Sequence, residues 1–184
     1  QVSTIAMQAA CYNPAGTTIA YQDRKGYEDA WRKHHTSSVT RDIWTYDTNT
    51  KTYRQITTFN GEDRDPVWSS DGATLYYLSE EAGTFNVYKI PAVGGTSTQV
   101  SHLAEHPVRY LSISGNGVIC FSYRGELYTM TDGGEPKKVS IRINTDGRYN
   151  PEKIITVNDA EEYEVSSNGK EVVFIHRGEV FVSS

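Results

Sequence analysis

The stretch DPVWSSDGATLYYLSEEAGTFNVYKIPAVGGTSTQVS, Asp65 to Ser101, decides the architecture. It reads as a short strand, a tight turn at Asp71-Gly72, a second strand, a loop at 80–84 and a third strand. A turn at Gly94-Gly95 and a fourth short strand complete it. Asp-Gly between alternating apolar runs is a strong hairpin signal, and it predicts a type I′ turn with positive φ at both central residues. Four antiparallel strands in about forty residues make one propeller blade.

Measured from the turn glycine, the unit recurs. Tyr12-Asn13-Pro14-Ala15-Gly16 lies on Trp68-Ser69-Ser70-Asp71-Gly72, Ile113-Ser114-Gly115-Asn116-Gly117 and Val165-Ser166-Ser167-Asn168-Gly169. Asn-Gly is a substitution that a type I′ turn tolerates. Ala15-Gly16 departs from the pattern, so a different turn type is expected there. Third strands recur at Asp42–Asp47, Asn86–Pro91, Gly125–Met130 and Gly178–Ser183, each alternating with period two. The fold class predicted is all-β, a partial β-propeller of three to four four-stranded antiparallel blades, at about 4–60, 61–103, 104–158 and an incomplete 159–184. Gln1-Val2-Ser3 copies Gln99-Val100-Ser101, so the chain reads as a piece of a longer propeller. Open blade edges invite pairing, and a homodimer is one expected partner.

Two segments break the repeat. One is the insertion QDRKGYEDAWRKHHTSSVTR, Gln22 to Arg41, between the second and third strands of the first blade. Its Tyr27–His35 part has the length for a helical turn or two, which is marginal unless packed. The other is the long link from Ile141 to Asn158.

The 184 residues allow a real core, and 13 Tyr with 5 Phe and 3 Trp favour strands. A net charge of −5 argues against a general nucleic-acid binder. Apolar runs are only a few residues long, so no membrane span is expected. Cys11 and Cys120 stand in different repeats and are expected as buried free thiols, with no zinc-type spacing.

The repeat with Trp68-Ser69-Ser70-Asp71-Gly72 after Asp65-Pro66-Val67 resembles the WD40-like, or PD40, repeats of TolB and tricorn-type proteases. The insertion from Lys25 to Trp44 is similar to that of bacterial tricorn-like peptidases of the S41 class. The links Gly61–Pro66 and His106–Arg109 fit the same picture. The resemblance implies a propeller N-terminal to a PDZ-like module and a serine-peptidase domain. It implies a non-catalytic role, shaping access or holding peptide substrates, with the rest of the parent peptidase or peptides as partners. A periplasmic or secreted location is implied in the same way. A TolB-like interaction propeller of the cell envelope and the propeller of a prolyl-oligopeptidase-type peptidase are the competing readings.

The residues themselves suggest no catalytic site, metal or cofactor. There is no Gly-x-Ser-x-Gly elbow. Ser69, Ser70, Ser114 and Ser166 fall at hairpin turns, where hydroxyls cap backbone groups. His34 and His35 are adjacent and point apart, so they do not jointly ligate a metal. Recognition is expected on one face, where the insertion meets the links between blades. The candidate binding residues are Tyr27, Trp31, Arg32, Lys33, His34, His35, Arg64 and Arg109, because aromatics and arginines anchor interfaces. That face is expected to contact a peptidase body or a neighbouring subunit; the other possibility is an insertion packed on its own blade.

Overall fold

The structure, a computed structural model, describes residues 2–29, 31–142 and 156–184. Among these there is no helix, and none therefore is long and apolar enough to cross a membrane. Two compact units are present, residues 1–140 and 141–184, and each is described by itself.

The first unit holds three four-stranded antiparallel sheets, each a meander in chain order. The first contains β1 (Met7–Tyr12), β2 (Thr18–Asp23), β3 (Ile43–Asp47) and β4 (Tyr53–Gln55). The second contains β5 (Asp63–Trp68), β6 (Thr74–Ser79), β7 (Asn86–Pro91) and β8 (Thr98–Gln99). The third contains β9 (Arg109–Ile113), β10 (Ile119–Tyr123), β11 (Glu126–Met130) and β12 (Lys137–Lys138). The second unit is one three-stranded antiparallel sheet, β13 (Glu162–Val165), β14 (Val172–His176) and β15 (Glu179–Ser183). Most of the Ile141–Asn158 link lies outside the described residues.

Period-two alternation puts successive side chains on opposite faces, and the core follows from it. Tyr77, Leu75, Trp68, Tyr88 and Ile90 pack against Ala20, Ile43 and Ile56 of the first sheet. Tyr76, Leu78, Val87 and Val100 pack the other way, with Val108, Leu111, Ile119 and Phe121 of the third. Tyr76 and Tyr77 therefore serve two different interfaces between blades. In the second unit Phe174 stacks on Phe181, with ring centroids 5.5 Å apart.

The turns correct the sequence reading. Gly16, Gly72, Gly117 and Gly169 have φ from +66° to +81°, but the residues before them do not have positive φ. Each glycine N–H donates to the carbonyl three residues earlier, at 2.8–2.9 Å. This is a type I turn closed by a left-handed glycine, not type I′. Ala15-Gly16 makes the same turn as the others, for a reason visible in its neighbours. In the second sheet, Asp71 Oδ1 accepts from Ala73 N (3.0 Å) and Ser69 Oγ from Thr74 N (2.9 Å). In the first, Asn13 Oδ1 alone accepts from Thr17 N (2.9 Å) and Thr18 N (3.0 Å), which leaves position 15 free to be alanine. The type I′ geometry occurs instead at Arg124-Gly125 and Arg177-Gly178. There both residues have positive φ in two-residue loops joining β10 to β11 and β14 to β15.

A second repeated feature lies on the first strand of each of the first three sheets. Ala9, Asp65 and Tyr110 have φ of +47°, +54° and +56°, and each precedes its turn glycine by seven positions. The strand register shifts at each of these points. Three β-bulges thus bend the three first strands at the same level and re-aim the side chains beside them.

Cys11 and Cys120 are free thiols, but half-buried rather than buried. Cys11 Sγ lies 3.1 Å from the Pro66 carbonyl of the neighbouring sheet.

Candidate functional site

Among its described residues the insertion between β2 and β3 has no helix; residues 27–29 and 31–35 are irregular, with isolated turns and bends. Nine residues without a packed apolar stripe do not sustain a helix, and side-chain bonds hold this segment instead. At its root, Lys25 Nζ lies 3.0 Å from Asp23 and 2.8 Å from Asp42, and donates to the Thr40 carbonyl (2.8 Å).

The main anchor is a buried ion cluster on the second sheet. Arg32 donates to Glu62 (2.9 Å) and to the His35 carbonyl (2.7 Å), and pairs with Glu80. Arg41 donates to the other Glu62 oxygen (2.6 Å). Glu80 Oε1 accepts from the backbone N–H of Ser37 (2.7 Å) and of Glu62 (2.8 Å). The guanidinium carbons of Arg32 and Arg64 sit 4.9 Å and 3.9 Å from the Phe85 ring centroid. Two carboxylates and two pairing guanidiniums balance in charge. Buried pairs of this kind contribute little net stability, but breaking one is costly, so they fix position. The middle of the insertion is therefore anchored on the second blade, while Lys25 ties its root to the first.

Beyond the anchor the insertion reaches the third sheet. Lys33 Nζ lies 3.2 Å from His106 Nδ1. An ammonium has no acceptor, so the imidazole nitrogen accepts, and His106 is neutral in this contact. Desolvation, reinforced by the charges of Lys33 and Arg124, holds the His106 pKa below its ordinary value. Arg109 donates to the Arg32 carbonyl at 3.3 Å, and its guanidinium carbon lies 4.8 Å from the Trp31 ring centroid. Trp31 meets Tyr110 edge to face at 6.3 Å.

These residues enclose a groove of about 720 Å³, lined by Trp31, Lys33, His106, Pro107, Arg109, Tyr110, Ser122, Arg124 and Gly125. A cleft of about 240 Å³ shares Trp31, Arg109 and Tyr110 and adds Gln22, Arg41, Glu62, Arg64 and Asp65. The larger groove carries Lys33, Arg109 and Arg124 and no carboxylate in its lining. The Arg124 guanidinium is bonded to Glu105 at its edge (2.9 Å), an exposed pair that solvent screens strongly. Cationic walls with two exposed aromatic faces suit an anionic, partly apolar chain.

The structure brings Trp31, Lys33, Arg64 and Arg109 to this connected groove. It separates the other four candidates. Arg32 is buried in the ion cluster, where a ligand does not reach it. Tyr27 is exposed and stands outside the groove lining. His34 and His35 are exposed on the insertion; His35 Nε2 is 4.0 Å from Glu28. No group of three His, Cys, Asp or Glu placed to hold a metal occurs among the described residues. Tyr110 and Arg124 were not legible as site residues. The signals for them were the bulge position seven before the turn glycine and the Arg-Gly hairpin facing the insertion.

The chain matches the family described as "Tricorn protease N-terminal beta propeller domain" over residues 1–137. No curated protein sequence matches it. Among solved structures, it is similar to a putative TolB from Agrobacterium tumefaciens, with 18% identity and a TM-score of 0.57 over 69% of this chain and 46% of that one. TolB from Acinetobacter baumannii gives 15% identity and 0.59, over 92% of this chain and 37% of the other. The tricorn protease gives 17% identity and 0.56, over 90% and 16% respectively. At such identities the likeness is one of fold. The chain spans less than half the length of each of these structures.

Proposed function

The chain belongs to the tricorn protease N-terminal β-propeller family, and from that premise we propose that its groove holds extended peptides, presenting them to the peptidase body of a longer protein. The observation that carries this reading is the groove itself. Three basic side chains and two exposed aromatic rings are assembled from an insertion in the first blade and the first strand and hairpin of the third. Its volume of about 720 Å³ falls within the range of ligand clefts. An extended peptide offers carboxylate oxygens to the basic side chains of the groove and apolar side chains to Trp31 and Tyr110. The role is one of binding and positioning, with bond cleavage assigned to another domain.

Fluorescence anisotropy on the full chain tests this, using labelled hexapeptides that differ only in acidic or basic composition. Acidic peptides should bind, and Lys33→Glu combined with Arg124→Glu should weaken them at least tenfold. Equal affinity for acidic and basic peptides, or no effect of the double substitution in a folded variant, would overturn the proposal.

A further inference from the structure

Glu62 faces the insertion; Asp63, the next residue of an extended segment, turns to the opposite side. There it lines a cavity of about 190 Å³ between the β4–β5 link and the second sheet. Asp63 is 1% exposed, and neither carboxylate oxygen has a hydrogen-bond partner. The Thr57 and Ser79 hydroxyls stand beside it without making a hydrogen bond of ordinary geometry. Burying an unpaired carboxylate is costly, so its presence calls for a reason.

The fold does not supply one. Measured from the turn glycine, Asp63 of the second blade corresponds to Val108 of the third. Both donate the same backbone bond to the preceding sheet, Asp63 N to the Arg41 carbonyl (2.9 Å) and Val108 N to the Phe85 carbonyl (2.8 Å). Val108 is fully buried in an apolar cluster. A valine therefore satisfies the structural demand at this position. A second acid accompanies Asp63. Asp42 stands where the next blade has Asn86, and its Oδ1 is buried without a partner. Asn86 Oδ1, in contrast, accepts from Ser101 Oγ and Leu103 N, both at 2.8 Å. Glu81 adds an exposed carboxylate to the cavity rim.

The remaining walls define what fits. Ile56, Phe59 and Ile90 are apolar, while Thr57 and Ser97 contribute hydroxyls. No metal-type cluster of three acids or histidines exists among the described residues. A primary ammonium has three donors and no acceptor, which matches an unpartnered carboxylate flanked by hydroxyl oxygens, and an alkyl stem matches the apolar wall. We propose that this cavity binds a primary ammonium group on a short alkyl chain, with Asp63 as its counter-ion. The source is either a free alkylamine or the lysyl side chain of a peptide.

The test uses the full chain at pH 8 and amide NMR shifts around Thr57, Asp63 and Ser97. The probes are n-butylammonium chloride and N-acetyl-lysine amide, with potassium chloride and tetramethylammonium chloride at equal ionic strength. Saturable shifts with n-butylammonium, weakened at least tenfold by Asp63→Asn and less at pH 5 than at pH 8, support the site. The acids lining the cavity are Asp63 and Glu81, and Asp42 (paired with Lys25) acts on Asp63 from outside the lining; Tyr77 and Tyr88 have raised pKa values and stay protonated. Saturation by the lysine amide too identifies a peptide side chain as the source, and saturation by n-butylammonium alone identifies a free amine. Equal shifts with potassium or tetramethylammonium, unchanged binding in a folded Asp63→Asn variant, or no saturable shift would each overturn it.

Discussion

The Arg32 guanidinium lies 2.9 Å from the Glu62 carboxylate, and their side chains are 5% and 1% exposed. One belongs to an insertion in the first blade, the other to the link that starts the second. Removing the arginine leaves Glu62 and Glu80 buried together, with Glu80 stripped of its paired cation. Arg32→Ala should cost about 3–5 kcal/mol. It should also open the insertion to trypsin at Lys25, Lys33 and Arg41. Denaturant melts and limited proteolysis check both, and an uncleaved, equally stable variant would refute the anchoring role.

Asp63 gives a pH dependence of known sign. Burial pushes its pKa up from 3.8 to about 7. Below pH 3.8 the carboxyl is protonated in both folded and unfolded chains, and nothing is lost. Between pH 4 and 7 the unfolded chain ionises while the folded chain stays protonated, so stability falls as pH rises. Above pH 7 the loss is complete. Asp63→Asn should therefore match the parent at pH 4 and exceed it by roughly 3 kcal/mol at pH 8. Urea melts of both proteins at the two pH values measure it, and equal differences at pH 4 and pH 8 would refute it.

The turn and bulge positions predict opposite signs for opposite substitutions. Gly72 has φ +70°, and an added Cβ would meet Pro14 Cδ at 3.4 Å. Gly72→Ala should destabilise by about 1–2 kcal/mol. Ala9 is exposed at φ +47°. Ala9→Gly relieves a strain of similar size, partly offset by the freer unfolded chain, for a net gain of about 0.5 kcal/mol. Thermal melts of the two variants should move in opposite directions.

Cys11 should be slow to alkylate. Burial pushes its thiol from 9.0 up to about 11, against a smaller opposing effect of a backbone hydrogen bond. A thiol at about 11 holds only about 1% of the reactive thiolate that one at 9.0 holds at pH 8. In a Cys120→Ser variant, iodoacetamide should react with the native chain roughly a hundredfold more slowly than with the urea-unfolded chain. Equal rates would contradict the burial.

Much of the fold was legible because its signals are local. Each turn glycine marks a hairpin, and period two marks the faces that pack between blades, so neighbours such as Tyr76 and Tyr77 fall on opposite faces. The turn type was not legible from Asp71-Gly72. Loop length decides it, and that depends on which strand residues pair. The candidate site was half legible. The insertion stood out by its length, but it has no periodicity to say which of Trp31, Arg32 and Lys33 turns inward. Only the positions of Glu62 and Glu80 settle that Arg32 is buried and its neighbours face the groove. Asp63 was hidden in a charged link, where an acid looks ordinary until its surroundings are seen. Its correspondence to Val108 was present in the repeat and is the signal that would have singled it out.

The insertion also has an order of events written into it. As a chain emerges during synthesis, residues 24–41 appear well before the surfaces that hold them. Glu80 follows Arg32 by 48 positions, and His106 follows the Lys33 it meets by 73. Until residues 106–110 have been made, Lys33 lacks His106, Trp31 lacks Arg109 and Tyr110, and the groove has no far wall. A nascent chain that halts after its second blade has a pinned insertion but an incomplete groove. The walls of the groove are therefore complete only once the third blade has been made.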